Sequence, residues 1–349
     1  MRLFDIRSAS LEELQGFIKS IDEKPFRATQ VFEWIHKRHA QTYNEMTNIS
    51  NALKAKLTEN THFLPITTIT EQTSSDNLTK KLLFALPSCG TIEDNAVNVE
   101  SVLMTYKHGL SACLSTQAGC KMGCDFCASH ISGFVRNLTA GEILGQYYAL
   151  SRITGERISN IVLMGIGEPL DNFDNTVKFI RLINGEAGVN LSQRNITLST
   201  CGLVPQIYKL IDEGLQINLA ISLHAPNDQI RRRMMPIARK YNYDELMQAC
   251  HAYVKNGRRI TFEYIMIDQV NDQVAHAQEL VKKIKGINCH VNLIGANPVI
   301  EKGYKKSSKH AMLAFKEVLT NAGITTTIRR ELGTDIEAAC GQLRKTTDS

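Results

Sequence analysis

Three cysteines stand at Cys120-x3-Cys124-x2-Cys127, close enough for one short loop to aim three thiolates at a single soft metal centre. Cys113 lies upstream, outside that cradle. Gly119 and Gly123 flank the first two ligands, where a chain folding tightly around a metal group needs left-handed backbone or close approach. Two kinds of centre suit such a donor set. Zinc in a closed structural site takes four protein ligands, so it would need a further donor, His130 or another cysteine. An iron-sulfur cluster can be held by three cysteines and leave one iron open to a substrate.

The elements that must position this loop alternate. Candidate strands span 111–116, 160–165, 195–200, 217–223, 260–267 and 290–296, each short and apolar or β-branched. Helical patterns follow at 140–153, 172–184, 204–213, 243–255, 272–285 and 308–321, mostly closed by Gly155, Gly185, Gly214, Gly257, Gly286 and Gly323. Six β/α units in succession predict an α/β fold with a parallel sheet and right-handed crossovers, either a full or partial β/α barrel or a doubly wound sheet. A last strand is expected over 324–329, leaving a tail with Cys340 free to fold back. The cysteine loop follows the first strand, at the carboxyl edge where such folds keep their chemistry.

Before this domain the chain reads differently. Ser10-Leu-Glu-Glu13 is a capping box opening a helix to about Ile21, Pro25 begins a second that runs to about His39, and 50–58 forms a third. These helices could touch nucleic acid or form a solvated cap. Strands are expected over 66–71, 80–86 and 96–105, with turns at Ser74-Ser-Asp-Asn77 and Gly90. The domain boundary is placed near residue 90, giving 1–90 as a small amino-terminal helical domain plus a strand-rich linker and 91–349 as the β/α domain.

At 349 residues with 43% hydrophobic content, the chain can bury a sizeable core. The longest apolar runs, such as Ile161 to Ile166, are far short of the ~20 residues of a membrane helix, and the first residues lack a signal segment. A cytoplasmic protein without membrane attachment is expected. Nine unevenly spaced cysteines suit metal ligation and thiol chemistry in a reducing compartment better than a disulfide framework. A net charge of +5 leans toward an acidic partner such as nucleic acid.

The x3, x2 spacing is the signature of radical S-adenosylmethionine (SAM) enzymes. The longer run Cys113 to Thr139, with Gln117-Ala-Gly-Cys120 and Asn137-Leu-Thr139, resembles the RlmN family of ribosomal RNA adenine-C2 methyltransferases. The likeness extends to Lys24-Pro-Phe-Arg27, Met164-Gly-Ile-Gly-Glu-Pro169, Leu198-Ser-Thr-Cys-Gly202, Ile221-Ser-Leu-His-Ala-Pro-Asn-Asp228, Arg233-Met-Met-Pro236 and Asp335-Ile-Glu-Ala-Ala-Cys-Gly-Gln342. It covers nearly the whole chain. It implies a partial (β/α)6 radical SAM barrel, a [4Fe-4S] cluster on Cys120, Cys124 and Cys127, and SAM bound by Gly167, Glu168, Ser199, Ser222, Leu223, His224 and Asn297. Read without the family, a lone Ser or Asn in such a loop is more often a cap or turn residue.

Adenine C2 is electron-poor, so polar attack on a sulfonium methyl is closed to it, and the resemblance implies a radical route consuming two SAM per turnover. By that resemblance Cys340 accepts a methyl group from one SAM by displacement at sulfur. A 5′-deoxyadenosyl radical from the second takes hydrogen from that methyl, and the resulting methylene radical adds to C2, tethering RNA to protein. The resemblance implies that Glu100 takes the C2 proton and that Cys113 forms a disulfide with Cys340 that releases the product. Without the family, Cys113 and Cys340 would read as small buried hydrophobes and Glu100 as an exposed strand residue.

The implied substrate is 23S ribosomal RNA at the peptidyl-transferase centre, with transfer RNA as a second candidate, its base extruded into the pocket. A reductant such as flavodoxin or ferredoxin is implied, and a monomer is expected. Arg231-Arg-Arg233 and Lys302, Lys305, Lys306 and Lys309 are the most basic patches, readable as phosphate contacts or as solvated faces. Cys89, Cys201, Cys250 and Cys289 have no assigned role, and packing suffices for Cys201. Two alternatives stand beside this reading: a Cfr-type adenine-C8 methyltransferase, which shares the cluster and both catalytic cysteines, and a non-catalytic zinc-stabilised RNA-binding protein. Lys24-Pro-Phe-Arg27 and Gln117-Ala-Gly favour the C2 enzyme.

Overall fold

Ser10 caps α1 (Leu11–Ser20) through the expected capping box with Glu13, satisfying amide groups that a helix start leaves unpaired. α1 buries Leu14 and Ile18 against α2 (Phe26–His36), which contributes Val31, Phe32 and Ile35, and α3 (Asn51–Asn60) adds Leu53 and Leu57. Pro25 is the N-cap of α2. That helix stops at His36, short of His39, which has left-handed backbone and stacks on Tyr148 at 4.5 Å. β1 (Phe4–Asp5) and β2 (Thr61–His62) pair in parallel and join the ends of this helical unit. The computed structural model describes residues 3–63, 65–87, 96–255, 258–299 and 302–344. Gly90, Cys89, the boundary near residue 90 and Gly257 lie outside them.

β3 (Thr67–Thr73), β4 (Thr79–Leu86), β5 (Val97–Tyr106) and β6 (Gly109–Cys113) run antiparallel in succession. β6 leads to a loop whose base is a small hairpin, β7 (Gln117–Ala118) and β8 (Arg136–Asn137). Then follow α4 (Ala140–Thr154), β9 (Ile158–Leu163), α5 (Phe173–Asn184), β10 (Ile196–Thr200), α6 (Val204–Asp212), β11 (Asn218–Ser222), α7 (Asp228–Met234), α8 (Tyr243–Val254), β12 (Ile260–Met266), α9 (Val274–Ile284), β13 (Cys289–Gly295), α10 (Lys309–Asn321) and β14 (Thr325–Ile328). Of the glycines expected to end helices, Gly155, Gly214, Gly286 and Gly323 take left-handed backbone, whereas Gly185 does not.

All the long strands belong to one ten-stranded sheet in the order β14-β13-β12-β11-β10-β9-β6-β5-β4-β3. From β6 to β14 neighbours are parallel. The order never reverses, so this is the partial barrel of six β/α units with a last strand; a doubly wound sheet would have a switch point. The sheet stays open, with β14 and β3 at its edges. The strand-rich linker is continuous with it, because β4 pairs with β5 from Thr79↔Met104 to Leu86↔Val97.

One hydrophobic core runs from Leu14 and Ile35 of the helical unit through Ile143 and Leu144 of α4 to Phe262 and Phe315. Polar ties reinforce that junction: the His36 Nδ1 lies 2.6 Å from the Tyr148 hydroxyl, and Arg152 pairs with Glu45 at 2.8 Å. Among the described residues no helix is long and apolar enough to cross a membrane.

Candidate active site

The loop carrying Cys120, Cys124 and Cys127 is pinned at its base, with Gln117 opposite Asn137 and Ala118 opposite Arg136. Gly119 has φ +77°, and a Cβ there would lie 1.7 Å from the Gly133 carbonyl oxygen. No side chain fits, so the tight approach anticipated beside the cysteines is real. Gly123 is also left-handed, at φ +68°. Gln117 joins this hairpin to the turn after β9: its Nε2 donates to Asn137 Oδ1 and Asp171 Oδ2, each at 2.7 Å, and its Oε1 accepts from the Glu168 N–H at 2.8 Å.

The three cysteines line a cavity of about 150 Å3 at the carboxyl edge of the parallel strands, together with Gly167, Glu168, Ser199, Ser222, His224 and Cys340. Burial pushes the Cys120 thiol up to about 12 and raises those of Cys124 and Cys127, and neighbouring cysteines add to it. Three thiolates cannot share such a place unless a cation takes up their charge, so the donor set fits a soft metal group. Among the described residues no three His, Cys, Asp or Glu side chains close around a single ion. A cluster that takes one thiolate per iron does not require that convergence. His130 lines the same cavity, its Nδ1 buried without a partner and its Nε2 3.4 Å from Lys302 Nζ.

Glu168 is 3% exposed. Its Oε2 accepts from the Cys201 N–H at 2.7 Å and its Oε1 from the Leu170 N–H at 3.0 Å. Burial raises its pKa against these donors. Cys201 thus does more than pack, since it lines the cavity and its amide holds Glu168. Ser199 and Ser222 end neighbouring strands with their hydroxyls 3.3 Å apart.

His224 has left-handed backbone at φ +58°. Its Nδ1 accepts from the Ile265 N–H at 3.1 Å, so the neutral ring carries its proton on Nε2. Burial, assisted by Arg231, holds the ring neutral by pushing its pKa down to about 3. Leu223 does not line the cavity. Its side chain lies in the core, and its N–H donates to the Glu263 carbonyl at 3.0 Å.

A second, smaller cavity of about 40 Å3 adjoins the first and holds Cys113, Asn297, Arg329 and again Cys340. The tail is sewn across both. The Ala128 N–H donates to Gly341 O at 2.7 Å, Ser129 Oγ to Leu343 O at 2.7 Å, Asn297 Nδ2 to Cys340 O at 2.9 Å and Gln342 Nε2 to Pro298 O at 3.0 Å. Glu100 lines neither cavity. It is 4% exposed, with Oε1 3.2 Å from Lys81 Nζ and Oε2 accepting from the Arg344 N–H at 2.9 Å. Burial raises its pKa, with Lys81 opposing.

The basic patches divide. Arg231 is 1% exposed and donates to the Cys201 carbonyl at 2.6 Å, so it is an internal brace of α7 and cannot meet a phosphate; Arg232 and Arg233 are exposed. Lys302 and Tyr304 both reach Asp125 of the cysteine loop, at 3.1 and 2.5 Å. Lys306 pairs with Glu331, and Lys305 and Lys309 are exposed. Arg329 and Glu263, which line the larger cavity, went unremarked in the sequence. No local motif marks them: Arg329 ends the last predicted strand, and Glu263 lies within the one predicted over 260–267.

A loop of three cysteines after the first strand of an open parallel barrel is the architecture of radical SAM proteins, and residues 114–281 match the radical SAM superfamily. Residues 4–62 match the family described as ribosomal RNA large subunit methyltransferase N-terminal domain. A radical SAM methyltransferase from Sphaerobacter thermophilus, known from its crystal structure, superposes with a TM-score of 0.92 at 40% identity, covering 97% of this chain and 99% of that one. A probable dual-specificity RNA methyltransferase RlmN of Lachnospira eligens is 50% identical over 97% of this chain and 95% of its own. One from Alkaliphilus oremlandii is 51% identical over 99% and 98%. The chain belongs to the RlmN family.

Proposed function

We propose that this protein methylates C2 of an adenine in 23S ribosomal RNA at the peptidyl-transferase centre, consumes two SAM per turnover and takes transfer RNA as its second substrate, working in the cytoplasm. The observation that carries the reading is that Cys340 lines both the cavity of Cys120, Cys124 and Cys127 and the cavity of Cys113. A sulfur so placed can serve a methyl-transfer site and a disulfide partner in turn.

Cys120, Cys124 and Cys127 would hold a [4Fe-4S] cluster. Gly167, Glu168, Ser199, Ser222, His224, the backbone of Leu223 and Asn297 would hold SAM. When bound, these groups supply a transferable methyl group and, after one electron from a reductant such as flavodoxin or ferredoxin, a carbon radical able to take hydrogen from a methyl. Glu168 keeps lone pairs for an ammonium group beyond its two backbone donors. His224 offers Nε2–H to a carboxylate. Cys340 holds the methyl on Sγ, a role suited to a thiolate nucleophile. Cys113 releases the product: its Sγ bonds to Cys340 Sγ, the bond from that sulfur to the methyl-derived carbon breaks, and the electron pair leaves with the carbon, which takes up a proton to complete the methyl group. Glu100 holds the C2 proton on its carboxylate, its proton affinity raised by burial.

In this reading residues 1–90 form an RNA-contacting accessory unit and 91–349 the catalytic one. Phe26 is 52% exposed with the Arg27 guanidinium 4.8 Å from its ring centre, a platform for a base or phosphate. Exposed Arg233, Lys305 and Lys309 suit the RNA backbone.

The test is anaerobic reconstitution with iron and sulfide, incubation with SAM, a reductant and unmethylated 23S RNA, and mass spectrometry of the nucleosides. A brown protein yielding 2-methyladenosine is expected. Product at C8 alone would overturn the C2 assignment, and a colourless zinc protein without iron would defeat the radical reading.

A further inference from the structure

Met164, Ile294, Arg329 and Cys340 line both cavities, and among these described residues Arg329 is the one that carries a charge. It follows β14 directly, and its N–H donates to Leu293 O at 2.8 Å, fixing it to β13. Its guanidinium interacts electrostatically with Cys340 of the tail, Glu263 of β12, Tyr106 of β5 and Cys113 of β6. Much of the smaller cavity is apolar, walled by Val102, Met104, Leu332 and Leu343, with Arg330 and Glu331 also on its lining. A sulfur anion there loses most of its hydration. Burial pushes the Cys113 thiol up to about 12, Cys340 adds to that, and Arg329 opposes it. The species that attacks in disulfide formation is the thiolate, so Arg329, which opposes burial together with a backbone hydrogen bond at Met164, matters.

We propose that Arg329 is a positioning residue for product release: its guanidinium, on the wall shared by the two cavities, holds negative charge on Cys113 Sγ while that sulfur attacks Cys340. Glu263 is its countercharge and tempers its field on the thiols. The inference rests on the reading of Cys113 and Cys340 as a reacting pair.

Cluster-loaded, full-length protein carrying Cys340→Ser isolates Cys113 for the test. Methyl methanethiosulfonate under anaerobic conditions forms a methyl disulfide on Cys113 and releases methanesulfinate, and mass spectrometry of the Cys113 peptide gives the rate at pH 8. Arg329→Gln is expected to slow that rate about threefold or more, the net of a tenfold loss of thiolate and the higher nucleophilicity of a more basic sulfur. Arg329→Lys should stay near the parent. Glu263→Gln should act in the opposite direction and raise the rate. An unchanged or faster rate with Arg329→Gln, or an unchanged or slower one with Glu263→Gln, overturns the inference. If Arg329→Gln loosens the fold, seen as new reactivity at fully buried Cys250, the direction of the Glu263→Gln effect decides. Diamide oxidation of protein with both cysteines tests the pair separately. If no Cys113 to Cys340 disulfide forms, the pair itself fails; a disulfide with unchanged Cys113 rates removes Arg329 alone.

Discussion

Cys113, the last residue of β6, and Cys340, in the carboxy-terminal tail, line one small cavity although most of the chain separates them in sequence. Burial raises the cost of ionising Cys113, and the nearby Cys340 adds to it. A disulfide between them would form by attack of one sulfur on the other once that one carries a leaving group. If Cys113 does release the product, Cys113→Ala should leave RNA covalently attached to Cys340 during turnover. A gel shift that resists denaturation, mapped to Cys340 by mass spectrometry, is the expected result, and free methylated RNA with no adduct would refute the role.

Gly119 provides a test of the metal loop. Gly119→Ala would place a Cβ 1.7 Å from the Gly133 carbonyl oxygen in left-handed backbone, which costs about 1–2 kcal/mol before the clash is counted. The loop must therefore open. Reconstituted Gly119→Ala is expected to lose most of its bound iron and visible absorption while its far-ultraviolet circular dichroism stays that of the parent.

Lys81 should set the acid limb of the pH profile. Burial raises the Glu100 pKa above its usual 4.5, and Lys81 pulls it back. As a base Glu100 must be ionised, so activity rises with pH through that raised value. Lys81→Met removes the opposing charge and should move the acid limb of kcat to higher pH. For stability the sign is opposite: a raised carboxyl pKa contributes fully below its unfolded value and loses that contribution as pH rises through the folded one.

Asn297 holds the tail by one hydrogen bond from its side chain to the Cys340 carbonyl, at 2.9 Å. Asn297→Ala should cost about 1 kcal/mol locally, read as roughly fivefold faster amide exchange over residues 338–344. Exchange in β10 and β11 should not change. Weaker SAM binding with unaltered exchange in the tail would instead place its whole effect on the ligand.

The cysteine motif was legible because it is local: three cysteines within one loop carry their spacing in the sequence, and Gly119 betrays the tight turn beside them. The β/α rhythm was legible because hydrophobic periodicity and helix caps are also local. Arg329, Glu263 and the amide of Cys201 were not, because they meet the site only through the register of strands distant in sequence. Arg231 misled for the converse reason. A run of three arginines looks like a solvated patch, yet α7 turns the first inward to the Cys201 carbonyl and leaves the next two outside.

The shared wall has one further consequence. The backbone of the Cys340 segment is stapled on both sides, by Asn297 to its own carbonyl and by Ala128 to that of Gly341. Cys340 itself lines two chambers. Passing from one staggered χ1 well to another moves Sγ by roughly 3 Å. On the reading proposed above, methyl transfer and disulfide formation would then be separated by a turn of a single bond, with no excursion of the strap that carries it.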